Sequence, residues 1–198
     1  MNQNTQVITG LDAFAEQFHS QAVASNGPIT KDAVVISLAL GFQSALKLPA
    51  GSILFQWRQD TRAIDLWVQP LELVVEVNYH NPLVLKKNLT PHFYGGLLGA
   101  FNNLAHTRAK DRLVVFVTYD AGIAYITRRC AKLLPLVVNK TQRIEPADIV
   151  GLPSMVATSA LAAGPWMGLS TTLLWRRESA TWYLFGWSVQ LSQSSGAG

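Results

Sequence analysis

The sequence predicts a mainly β protein: an antiparallel, eight-stranded jelly-roll sandwich carrying two short helices. Three observations carry that expectation. Apolar residues recur at every second position through much of the chain, only two stretches keep helical spacing, and strands and helices do not alternate regularly.

The elements follow in order. Residues 10–24 have the spacing of an amphipathic helix, with Leu11, Phe14, Phe18 and Ala22 as its stripe. Thr9 stands as its cap and Asp12, three positions on, as the capping-box partner. Ser25-Asn26-Gly27-Pro28 ends it. Ile53, Phe55 and Trp57 then alternate with Leu54, Gln56 and Arg58, and Ile64, Leu66 and Val68 with Asp65, Trp67 and Gln69; the residues between, Gln59-Asp60-Thr61-Arg62, suit a hairpin turn. After Pro70, Leu73, Val75, Val77 and Tyr79 point one way and Glu72, Glu76 and Asn78 the other. A second helix is expected over 91–105, capped by Thr90 with Pro91 in its first turn and a stripe of Tyr94, Leu97, Leu98, Phe101 and Leu104. Leu113, Val115, Val117 and Tyr119 make another strand, and residues 133–139 and 170–177 two more. In the last strand, Tyr183, Phe185, Trp187, Val189 and Leu191 hold every odd position, while Trp182 and Leu184 make the other face partly apolar, as in a strand covered on both sides.

The 198 residues fit one domain, divided as an N-terminal helical arm (1–30), the sandwich (31–191) and a small polar tail (192–198). Apolar residues make up 49% of the chain and charged residues 14%, against about 25% charged in an average soluble domain. That shortage predicts apolar surface buried against further copies of the chain. No Lys or Arg precedes Lys31, so the basic start of a signal peptide is missing, and the sequons at Asn88 and Asn139 are taken as chance. A lone Cys130 excludes a disulfide framework. Val150–Trp175 is uncharged, but Pro153, Pro165 and six Ser/Thr interrupt it. It reads as a loop and a buried strand, with no membrane insertion.

Sequence motifs for chemistry are absent: no phosphate loop, no GxGxxG after a strand, no HExxH and no GxSxG. No enzymatic activity, metal or cofactor is therefore expected. Gly95, Gly96 and Gly99 lie inside the second helix and suit close packing. Glu76 and His80, four apart on a strand, share a face; a solvent-facing pair is the plain reading, and a metal or acid–base pair the sharper one. Asp60, Asp65 and Asp120 could make an acidic cation site between subunits. Cys130 follows Arg128 and Arg129, which favour a thiolate, but a small buried apolar residue explains it as well. The six tryptophans (Trp57, Trp67, Trp166, Trp175, Trp182 and Trp187) exceed the needs of a core this size, and Trp67, between Asp65 and Gln69, suits a subunit contact. Between His106 and Arg143 stand eight basic residues, Arg108, Lys110, Arg112, Arg128, Arg129, Lys132, Lys140 and Arg143, against Asp111 and Asp120. Such a segment is either a solvated basic face or the footprint of a polyanion held by its phosphates.

The terminal strand Thr181–Leu191 (TWYLFGWSVQL) and the run Leu48-Pro49-Ala50-Gly51-Ser52-Ile53-Leu54-Phe55 resemble small RNA virus coat proteins of jelly-roll type over about residues 30–191. The resemblance implies a capsid subunit that self-assembles into a shell around genomic RNA, found in the virion and the host cytoplasm. It departs from many such proteins in its first 30 residues, which hold no Arg or Lys, so a basic packaging arm is excluded. Two other classes stay open: a small oligomeric RNA-binding accessory protein resembling a silencing suppressor, and a β-barrel hydrolase or ligand-binding protein using His80 and Glu76. A membrane-associated role is weaker still.

Overall fold

The computed structural model describes residues 2–24, 29–80, 89–119, 169–179 and 182–191. They form helices α1 (Gln3–Ala24), α2 (Lys31–Ala45) and α3 (Leu89–Ala105) and strands β1 (Ile53–Gln59), β2 (Arg62–Val68), β3 (Leu73–His80), β4 (Asp111–Tyr119), β5 (Leu169–Glu178) and β6 (Trp182–Leu191). The strands make one mixed sheet in the order β1-β2-β3-β4-β6-β5. All its pairs are antiparallel except β3–β4, which is parallel.

That parallel pair is where the described residues depart from the expected sandwich. A parallel connection needs a crossover of a dozen or more residues, usually a helix, and α3 supplies it. Among the described residues, helices and not a second sheet cover the two faces. Val7, Leu11, Phe14 and Phe18 of α1 and Val34, Leu38 and Phe42 of α2 join Val75, Val77, Leu113, Val115 and Val117 in one core. The alternate residues of β3 and β4 turn to the opposite face, where Asn103 of α3 bonds Glu76 and Gly96 packs on Asn78. Covered on both sides, β4 reads as a near-continuous apolar run from Leu113 to Val117, whereas β3 turns Glu76, Asn78 and His80 to one face. The last strand meets expectation: Phe185, Trp187 and Val189 are buried on one side and Leu184 on the other.

The segment 1–30 was expected to be an arm. Its helix is longer and is built into the core. Its cap is Asn2, whose side-chain oxygen accepts the Thr5 N–H at 2.8 Å and the Thr5 hydroxyl at 2.7 Å. Thr9 instead lies inside the helix and bonds the Thr5 carbonyl, and Asp12 accepts the Trp175 indole N–H at 2.9 Å, tying α1 to β5. Helix α2 has no counterpart in the period-two pattern. Val34, Val35, Ile36, Leu38, Ala39, Leu40 and Phe42 surround it with apolar groups and blur any stripe, although Thr30 caps it through the Ala33 N–H.

The two helices cross through glycines. A Cβ on Gly10 would meet the Phe42 ring at 2.5 Å, and one on Gly41 would meet the Phe14 main-chain nitrogen at 2.5 Å. Alanine is the better helix former by about 1 kcal/mol, yet Gly41→Ala is expected to destabilise by about 1–3 kcal/mol because backbone must move aside. Urea unfolding checks this; a raised midpoint would contradict the close crossing.

Candidate functional site

Strands β2 and β3 pair over only three residues: Val68 with Leu73, Trp67 with Val74, and Leu66 with Val75. The next pair in register would be Asp65 with Glu76. There the ladder stops, and the Asp65 carboxylate takes the place of a main-chain acceptor, its Oδ2 receiving the Val77 N–H at 2.7 Å. The strands fork around this side chain. Upstream, Gln56 of β1 sits at positive φ and its amide reaches Asp65 Oδ1 at 3.4 Å.

Both acids are buried, each 5% exposed. Lys31, in the first turn of α2, places its ammonium 2.8 Å from Asp65 Oδ2, and its side chain is 46% exposed, so it links the buried pair to solvent. From the other layer, Asn103 of α3 donates to Glu76 Oε1 at 2.9 Å. Burial and then the Asp65 charge push the Glu76 carboxyl up to about 8, against relief from Asn103 and Lys31. At neutral pH Glu76 therefore holds a proton.

Two residues on, Asn78 turns to the same face as Glu76. It is 8% exposed, and its amide nitrogen has no hydrogen-bond partner, a costly state for a buried donor. His80 lies further along β3, 2% exposed. Its Nδ1 is 3.4 Å from the Thr118 hydroxyl, which itself donates to the His80 carbonyl. Burial drives the imidazole down to about 4, leaving it neutral at neutral pH.

These positions revise several expectations. Glu76 and His80 do share a face, but they are buried there, not solvent-facing. Four residues of strand separate their Cα atoms by roughly 13 Å, with Asn78 between them, so they do not form a direct acid–base pair. Asp60 is exposed at the hairpin turn and Asp65 is buried, so those two do not combine; Asp120 lies outside the described residues. Of the basic segment, Arg108 and Lys110 are exposed. Arg112 is spent on structure, its guanidinium bonding the Leu104 and Thr107 carbonyls at 3.0 and 2.7 Å at the end of α3. Arg128, Arg129, Lys132, Lys140 and Arg143 lie outside the described residues, as do Cys130, Trp166, the strand expected over 133–139 and the tail. Trp175 and Trp187 fill core, and Trp67 packs against Trp57 with the rings tilted at 51° and their centroids 4.3 Å apart. Gly96 allows close packing as expected, since a Cβ there would lie 3.0 Å from the Asn78 amide.

The residues that the sequence left unjoined are Lys31, Asn78 and Asn103, together with the direct opposition of Asp65 and Glu76. Among the described residues no three His, Cys, Asp or Glu side chains gather as a metal cluster, and no helix is long and apolar enough to cross a membrane.

Fold and site together define a mixed α/β protein with helices on both faces of its sheet and a buried carboxyl pair in a forked strand pair. No family model, no curated protein and no solved structure matches the chain.

Proposed function

We propose that the protein is a divalent-cation-dependent hydrolase of phosphate esters, with Asp65 and Glu76 as the cation ligands. The observation that carries this is the buried opposition of the two carboxyl groups at the fork, with Lys31 beside them and the unpaired Asn78 amide on the same face as Glu76. Two carboxyls this close resist double ionisation, and a hard cation relieves both. Magnesium-type ions are held by one or two carboxylates, with substrate phosphate and water completing the shell. Bound there, such an ion supplies Lewis acidity and a water of lowered pKa.

The chain's own groups have matching tasks. Lys31, a mobile point charge near solvent, neutralises charge developing on the phosphoryl oxygens. Asn78 offers its free N–H to a substrate oxygen. Asn103 and the Val77 N–H fix the carboxyl orientations. In the reaction, a water oxygen bonds to phosphorus, the bond from phosphorus to the leaving oxygen breaks, and that oxygen takes up the proton the water gives up.

The test pairs calorimetric titration with Mn2+ against release of p-nitrophenolate from bis(p-nitrophenyl) phosphate. The expected result is one bound ion and turnover that chelator removes. Absence of cation binding at millimolar metal would sink the proposal.

Self-association is the second reading, favoured by Ile36 and Leu40, which lie 48% and 43% exposed one turn apart on α2. An eight-stranded sandwich would need strands from outside the described residues and an antiparallel β3–β4 pair, so this reading is made for self-association alone. Sedimentation separates it: larger species that vanish in Ile36→Lys would support it.

A further inference from the structure

The fork lies close to a corner where basic residues from two distant segments converge. Gln59 closes the β1–β2 hairpin opposite Arg62, and its side-chain oxygen accepts the Arg108 N–H at 3.2 Å. This brings the loop carrying Arg108 and Lys110 against the hairpin carrying Arg58 and Arg62. Arg62 in turn donates to the Asn102 carbonyl at 2.9 Å. The neighbouring Asn103 holds Glu76, so one turn of α3 touches both the basic corner and the carboxyl pair.

Arg58, Arg108 and Lys110 are exposed and Arg62 half-buried. The acids near the same corner are Asp60 in the turn, Asp111 at the start of β4 and Glu72, whose carbonyl accepts the Asp111 N–H at 3.2 Å; set against Arg58, Arg62, Arg108, Lys110 and Arg112 they still leave a positive excess. Arg62 precedes Asp65 by three strand residues, roughly 10 Å. That is about three nucleotides of a strand rising 3.4 Å each. A phosphodiester chain of that length would touch both corner and fork.

We infer that the substrate of the proposed site is a nucleic acid, held by its phosphate backbone at Arg58, Arg62, Arg108 and Lys110 while one phosphate reaches the Asp65–Glu76 fork. This rests on the hydrolase reading for its chemistry, but the binding corner stands or falls separately. The corner contacts phosphates only, so the binding is independent of sequence and strongly salt-dependent.

The experiment is fluorescence polarisation with 20-nucleotide single-stranded RNA, single-stranded DNA and duplex DNA, in chelator, over a salt series. The variants are Asp65→Asn and the triple variant Arg58→Ala/Arg108→Ala/Lys110→Ala, whose side chains are all exposed. Asp65→Asn is expected to bind at least as tightly as wild type, since in chelator it loses a carboxylate that faces the phosphate at the fork. The triple variant should bind at least about tenfold more weakly at low salt, with a log–log salt slope shallower by about 2–3, while circular dichroism and Mn2+ binding stay unchanged. An unaltered affinity and slope in the triple variant, or no binding by wild type to any of the three probes, overturns the corner. Loss of binding in the triple variant with hydrolysis persisting in Asp65→Asn would keep the corner and overturn the fork chemistry. The ranking of the three probes identifies which nucleic acid is preferred.

Discussion

Asp65→Asn is expected to leave the protein folded and to lower cation-dependent phosphodiester hydrolysis by more than about 100-fold. Even partners one shell out from a metal cost 10–100-fold when removed, and the proposal makes Asp65 a direct ligand. The choice of Asn matters. Asp65 Oδ2 accepts the Val77 N–H at 2.7 Å, and an amide oxygen can keep that bond. Asp65→Ala would strand the N–H in the fork at a cost of about 1–3 kcal/mol and confuse loss of chemistry with loss of structure. The Lys31 ammonium loses its anionic partner in either variant, but it is half-exposed and returns to water. Calorimetry should show Mn2+ binding lost in Asp65→Asn with the unfolding free energy from urea titration kept within about 1 kcal/mol of wild type. Full activity with the carboxylate gone would remove Asp65 from any catalytic role.

Much of this geometry was legible in local pattern. The alternation through 53–58, 64–69, 73–79, 113–119 and 183–191 places β1, β2, β3, β4 and β6 within a residue or two, because a pleated strand with at least one buried face must alternate. The turn at Asp60 followed from its setting between two such runs, and Asp60 takes positive φ there. What the pattern did not reveal was pairing direction. Helix 91–105 between strands 73–79 and 113–119 is a strand–helix–strand unit, and those favour a parallel pair. One such unit among several hairpins does not make a regular alternation, so it was outweighed. Helix α2 escaped because a helix apolar on nearly every side has no stripe to detect; Thr30 followed by Lys31-Asp32 was the one usable signal.

The site was half visible for a related reason. Asp65 and Glu76 lie symmetrically about the turn at Gln69–Leu71, so an antiparallel register alone sets them opposite each other. The fork, and the arrival of Lys31 and Asn103 from two helices on opposite faces, are tertiary facts that no spacing in one segment encodes.

The buried pair of titrating groups on β3 also fixes how stability depends on pH. Take the protein in chelator, so that no cation competes. Glu76 is raised from 4.5 to about 8, so between those values the folded state holds a proton the unfolded chain has lost, and stability falls with rising pH. His80 is lowered from 6.5 to about 4, so between those values the unfolded chain holds the extra proton, and stability rises with pH. Each slope is about 1.4 kcal/mol per pH unit. From pH 4.5 to 6.5 the two cancel and give a plateau. From 6.5 to 8 only the Glu76 slope acts, and the contribution of these two groups drops by about 2 kcal/mol. Glu76→Gln keeps an acceptor for Asn103 and deletes the falling slope, so its urea midpoint should climb from pH 4.5 to 6.5 and then hold level to pH 8.5. Wild type and variant should diverge most above pH 8. Parallel curves for the two proteins across that range would mean that Glu76 is ionised in the fold at neutral pH, and that the proton assigned to the fork is not there.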